Sequence, residues 1–461
     1  MNVNIVLEHP HEHYTNLDLI QGKVILRVPH PANVSSIIVK LEGEGRTRLL
    51  APIHPSRPDK QRPVLEVHKF LYQTQVLLPP NTRQEDLNPK AIFPLNSGSF
   101  EYPFQFKLPL NTQCQQSNNP ISSVSFTNTI PEFAKTPTQH VKATLPPTLS
   151  GFPGEAEIRY FVKVTVGRPQ FFKENPRAIA NFTFLPIEPP RPEKADGEAY
   201  ARRQHEFLEN PGSKSVAGGV QPRVAIDARL PNPAILTANQ DIPLRVLVKN
   251  VSPRTKNIYL QMLQVELIGY TKVRAHDVSR TESNSWILCS FSNMAIPIGA
   301  PSDPLETEVP INPEYWSGKV VPNTVSPSFT SCNLSRFYEL EVRVGLGYGS
   351  YKHGEDQLIV LPLRLPVKVY SGIAPPTALL AAGFNAESGK PPLHAPPLHT
   401  PTTGFSGQPS QPPPAPVYDD APPSYEEVVG QNLPPINGYR GSYMPPPVPE
   451  GAPRFSDEKR R

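Results

Sequence analysis

The residues best placed to do chemistry are Pro422, Pro423 and Tyr425, within Ala421-Pro422-Pro423-Ser424-Tyr425-Glu426-Glu427. The chemistry is recognition rather than bond making. Two adjacent prolines pre-set a polyproline II turn, so docking costs little ordering entropy. The tyrosine that follows can fill an aromatic-lined groove, which makes Pro-Pro-x-Tyr a ligand for WW domains. Asp419, Asp420, Glu426 and Glu427 flank the motif, and Ala415-Pro416-Val417-Tyr418 is a degenerate second copy.

Bond-making constellations are not found. The sequence shows no nucleophile elbow, phosphate-cradling glycine loop or zinc spacing. Gly345-Leu346-Gly347-Tyr348-Gly349 is glycine-rich. It lies between two strand patterns, without a helix to hold phosphate, and reads as a β-turn or bulge. Cys114, Cys289 and Cys332 are too few and too scattered for a disulfide framework or a metal site. His9, His11 and His13 read as a strand lead-in rather than metal ligands. Asn312-Pro313-Glu314-Tyr315 resembles an Asn-Pro-x-Tyr endocytic signal but reads as a turn inside a folded domain. The expectation is a protein that is not an enzyme and needs no cofactor or metal.

Composition narrows the partners. The chain has 461 residues and a net charge of +4, too little to argue for nucleic acid. It holds 61 prolines spread along its length, which disfavour long helices and suit strands joined by loops. No apolar run is long enough to span a membrane. Met1-Asn2-Val3-Asn4-Ile5 lacks the basic and apolar regions of a signal peptide, so reduced cysteines in a cytosolic protein are expected.

The elements that must position the motif have a period of two. Phe100, Tyr102, Phe104, Phe106 and Leu108 share one face, and Glu101, Gln105 and Lys107 the other. Pro103 cannot donate to a ladder, so this strand is expected at an edge or a bulge. Ile158 to Val166, Tyr338 to Leu346 and Ile359 to Val369 alternate in the same way. Turn residues between such strands signal β-sandwiches. A faint repeat relates Gln21–Val28 and Ile37–Gly43 to Gln240–Val248 and Leu263–Gly269.

These patterns predict an all-β chain of two consecutive immunoglobulin-like sandwiches, residues 1–188 and 222–370. Residues 189–221 read as a linker with one short helix over Gly197–Leu208. Long polar loops are expected near 79–96 and 111–144. Residues 371–461 are too poor in core formers to fold and read as a disordered, proline-rich tail.

Two sandwiches, a linker and a tail with Pro-Pro-x-Tyr resemble the α-arrestins, or arrestin-related trafficking adaptors, in a proline-rich style that looks fungal. The resemblance covers about residues 1–370. It rests most on Leu149-Ser150-Gly151-Phe152-Pro153-Gly154 and the strand Ile158 to Val164, and in the second half on Leu236–Val248, Leu263–Gly269 and the closing strands.

The resemblance implies an adaptor. It would recruit a WW-domain HECT-type ubiquitin ligase through Pro422, Pro423 and Tyr425 to plasma-membrane transporters or receptors, promoting their ubiquitination and endocytosis. One complete motif offers less avidity than the several copies common in the family. Arrestin-like bodies can bind acidic tails or lipids on a concave basic surface, for which Lys40, Arg46, Arg48, Arg159 and Lys163 are the candidates here. Peripheral membrane association and a cytoplasmic protein recruited to plasma membrane and endosomes follow from the same likeness. Two alternatives share the fold: a signalling scaffold for a pH or nutrient sensor, and a retromer-like sorting subunit.

Overall fold

A computed structural model describes residues 1–8, 10–53, 59–114, 139–170, 173–208, 221–349, 357–381, 430–438 and 440–447. It also gives the backbone of 54, 57–58, 124–127 and 130–133. Among these residues the chain is nearly all-β, with a short helix at Thr377–Ala381, a helical turn at 430–432 and a 3-10 turn at Pro313–Tyr315. The turn holds the Asn-Pro-x-Tyr segment, and the Asn312 side chain caps it by accepting from the Glu314 amide.

In the first half, Leu19–Val28 pairs with Asn2–Leu7 on one side and Gly98–Lys107 on the other. Pro103 sits opposite Lys23 on an edge strand of that sheet, where a missing amide costs nothing. The facing sheet is built on Ser36–His54, between Arg57–Leu78 and Ala156–Gly167. Ile20, Val24, Leu26, Phe104 and Phe106 meet Val39, Leu41, Tyr160, Val162 and Val164 between the sheets. The alternation that predicted the strands is therefore the alternation that fills the core.

The second half repeats the plan. Glu198–Glu206, Arg223–Pro231, Arg245–Asn250 and Glu308–Pro310 form one sheet. In the other, Asn257–Ala275 lies between the edge strand Val278–Pro297 and Leu334–Gly349, with Gln357–Tyr370 beyond. The faint repeat has a structural counterpart. Gly43 pairs with Tyr160 and Gly269 with Tyr338, each across an antiparallel ladder. A Cβ on either glycine would stand 2.7 Å from the tyrosine ring, so the ring occupies the space the glycine leaves. Both tyrosines reach back to a carbonyl, Tyr160 to Pro146 and Tyr338 to Ser326.

Three expectations need correction. The helix expected over Gly197–Leu208 is the strand Glu198–Glu206, paired along its length with Arg223–Pro231. Residues of good helix propensity are overridden there by a partner strand and a bidentate pair from Arg202 to Asp227 at 2.6 and 2.7 Å. Gly345–Gly349 is not a turn but the end of the strand Leu334–Gly349. The irregularity lies opposite, at Leu260 to Met262, and a Cβ on Gly345 would meet the Met262 Cβ at 2.7 Å.

The third correction concerns the tail. Thr377–Ala381 is helical, and parts of residues 430–447 pack on the body. Leu379 and Tyr443 join Leu110, Leu185, Ile187 and Ile373 in a separate apolar cluster, with Leu433 and Ile436 against it. Burial against the folded body supplies what the tail lacks in core formers of its own.

The two halves share structure. Val273, Ala275 and Leu334 from the second half belong to the first half's core. Thr47 donates to the Arg274 carbonyl at 2.6 Å, and Asn333 donates to the Gly45 carbonyl at 3.1 Å. No described helix is long and apolar enough to cross a membrane.

Candidate functional site

Pro422, Pro423 and Tyr425 lie outside the described residues. The described chain resumes at Gly430, shortly after them. Lys107 points its ammonium at three carbonyls, of Gly430, Gln431 and Leu433, at 3.1, 2.6 and 2.5 Å. A lysine has three N–H donors, and all three are used on this one turn of chain. Further on, Arg440 forms a bidentate pair with Asp18, both bonds 2.7 Å, and also donates to the Ile436 carbonyl at 2.7 Å. Tyr443 is buried and donates to the Thr148 carbonyl at 2.6 Å. Burial pushes its hydroxyl pKa up, so it stays a donor. Asn239 and Asn323 hold Ser442, and Ser150 donates to the Pro446 carbonyl.

This segment therefore contacts both halves. Lys107, Asp18, Thr148 and Ser150 come from the first, and Asn239 and Asn323 from the second. Lys107 was visible in the sequence as an outward polar residue of an edge strand. Its partners were not, because nothing local links it to residues more than 320 positions away.

The basic candidates occupy one face of the larger first-half sheet. Lys40 pairs with Lys163 across the ladder, and Glu44 with Arg159. Most of the charge is matched within the face. Arg159 and Arg46 reach Glu44 at 2.6 and 2.9 Å, and Lys69 reaches Glu42 at 2.7 Å. Burial pushes the Glu44 carboxyl pKa up, but Arg46 and Arg159 together outweigh it and hold the group below its ordinary value. Lys40 donates to the Tyr72 hydroxyl at 2.7 Å. Arg159 also lies over the Phe161 ring. The Arg48 amide donates to the Glu155 carbonyl. The face is thus a mixed ladder of carboxylates and cations with a cationic excess, not a bare basic patch.

A second constellation, kept apart by the sequence reading, assembles where the halves meet. His68, Cys114, His140 and Cys332 bring their donor atoms within 4.8 Å of one another. Cys114 Sγ lies 3.5 Å from His68 Nδ1 and 3.1 Å from His140 Nδ1. His68 Nε2 lies 2.6 Å from Glu66, which is fully buried and also takes Arg274 at 2.9 Å and the His276 amide. Burial pushes the Glu66 carboxyl pKa up, but the bonds from His68 and His276 hold it low. The one available signal was Glu66 and His68 alternating at i and i+2 within the strand Arg57–Leu78, amid Val64, Leu65, Val67 and Phe70. The N-terminal histidines are different: His13 is buried and His11 packs edge-on to Tyr14.

Residues 3–187 match the family described as Arrestin (or S-antigen), N-terminal domain. Over those residues the chain is similar to arrestin N-terminal domains, which bears out the resemblance to the α-arrestins. Arrestin-related trafficking adapter 10 of Lachancea thermotolerans is 27% identical over 123 residues. The aligned part is 25% of this chain and 29% of that protein, so it spans less than a third of the relative's length.

Proposed function

We propose that this chain is a trafficking adaptor that acts without chemistry of its own. In this reading Pro422, Pro423 and Tyr425 hold a WW-domain HECT-type ubiquitin ligase, and the arrestin-fold body holds a membrane transporter or receptor. The ligase modifies the cargo, which is then internalised from the plasma membrane toward endosomes.

The observation that carries the reading is the clamp of Lys107 on Gly430, Gln431 and Leu433. Only five residue-to-residue steps separate Tyr425 from Gly430. Fully extended, they span at most about 17 Å. Measured from Tyr370 alone, the tail would place the motif about 40 Å away on average, in any direction. The clamp confines a ligase to the side of the body that carries Lys107 and Asp18. Local concentration beside the cargo rises accordingly. The cargo or lipid contact is assigned to the mixed face of Lys40, Arg46, Arg48, Arg159 and Lys163, whose cationic excess suits an acidic tail or headgroup.

The test is capture of a WW-domain HECT-type ligase by the full chain and by Tyr425→Ala. Capture by the parent and loss in the variant is expected. Equal capture by both, or by neither, overturns the assignment. Lys40→Glu with Lys163→Glu is expected to slow cargo turnover while ligase capture persists.

A further inference from the structure

We propose that His68, Cys114, His140 and Cys332 form a structural zinc site that staples the two halves of the body. Four protein donors, two thiolates and two imidazoles, leave no open position, which is the pattern of structural rather than catalytic zinc. Tetrahedral zinc with its usual bond lengths sets its ligand atoms about 3.3–3.8 Å apart. The Cys114 contact to His68, 3.5 Å, falls in that range, and the one to His140, 3.1 Å, lies slightly inside it, close enough for a small side-chain shift to meet it. The whole set fits within 4.8 Å. Mixed sulfur and nitrogen donors in this number favour zinc over the oxygen-seeking magnesium and calcium.

The surroundings fit a metal better than a thiol network. Glu66 accepts from His68 Nε2, which leaves Nδ1 as the lone pair facing the cluster. Carboxylate–histidine pairs of this kind orient metal ligands. As a thiol, Cys114 meets both Nδ1 atoms that face it only if it donates to His68 and His140 is the tautomer that donates back to sulfur. A cation satisfies both. The Val141 amide donates to Cys332 Sγ at 3.3 Å, a bond suited to a thiolate. Arg274 ties Glu66 to the Cys332 carbonyl at 2.6 Å, so the outer layer also spans both halves.

The consequence is mechanical. His68 belongs to the strand Arg57–Leu78, Cys114 and His140 flank a segment of the first half, and Cys332 belongs to the second half. One ion would fix the angle between the sandwiches.

The test is metal analysis of the purified full chain, before and after chelation and reloading with zinc. One zinc per chain is expected. Cobalt substitution of the same chain should give tetrahedral ligand-field bands and thiolate-to-cobalt charge transfer. Cys332→Ser and His140→Ala should bind at least tenfold less zinc, while Cys289→Ser, outside the cluster, should keep it. The cobalt spectrum needs no variant, so a misfolded Cys332→Ser does not decide the matter. Stoichiometric loading that fails in the parent chain overturns the site. So does a cobalt spectrum lacking thiolate charge transfer. A Cys114–Cys332 disulfide, seen as one free thiol instead of three after denaturation, also overturns it.

Discussion

Arg440 closes a bidentate ion pair on Asp18 across 422 residues of sequence, with both bonds at 2.7 Å. Asp18 is almost fully buried and also accepts from the Thr15 amide at 2.8 Å. The pair joins the chain beyond the Pro-Pro-x-Tyr motif to the first sandwich.

Arg440→Ala leaves the Asp18 carboxylate buried without its counter-charge. Removing one member of a buried pair costs about 3 kcal/mol. Much of that falls on the docked segment, which should become open to protease and to hydrogen exchange over 430–447. Hydrogen exchange by mass spectrometry checks this, and unchanged protection there would refute the clamp. Tyr443→Phe, which loses one buried hydrogen bond, should loosen the segment by about 1 kcal/mol.

Glu44→Gln tests the mixed face through pH. The folded-state pKa of Glu44 is lowered, so its stabilising effect is present above the ordinary carboxylate value of 4.5. That effect is lost as pH falls through the lower folded value. The variant should be less stable than the parent by about 2 kcal/mol at neutral pH, the worth of hydrogen bonds to a charged group. The gap should narrow below pH 4.5. Denaturant unfolding at several pH values measures it, and a gap that is constant or widens in acid contradicts the assignment.

Gly43→Ala and Gly269→Ala should each destabilise the chain by about 2 kcal/mol, because the added methyl meets a tyrosine ring at 2.7 Å. Equal costs at both positions, measured by thermal unfolding, would mark the two sandwiches as copies of one design. A neutral result at either would show that its ring moves aside freely.

Phosphate on Tyr425 should abolish WW-domain binding, since it adds bulk and up to two negative charges in an aromatic groove. Titration of a WW domain with phosphorylated and plain peptides spanning the motif reads this directly. Equal affinity would rule the switch out.

Alternation along Phe100–Leu108, Ile158–Val166 and Tyr338–Leu346 was enough to predict strands and two sandwiches. Side-chain phase is a local property, and one buried face enforces it. The Pro-Pro-x-Tyr motif was legible for the same reason, because its recognition needs four consecutive residues. Glu198–Glu206 was misread as helical because its strand identity comes from Arg223–Pro231 beside it, not from its own residues.

What only the tertiary structure decided are contacts between residues without a local pattern. Arg440 meets Asp18, Lys107 meets Gly430, and Cys332 meets His68 only after both sandwiches have closed. The cysteines carry no zinc-finger spacing, since each comes from a different part of the fold. Charge pairs and metal ligands are set by distance in space, and the sequence fixes that distance only through the whole fold.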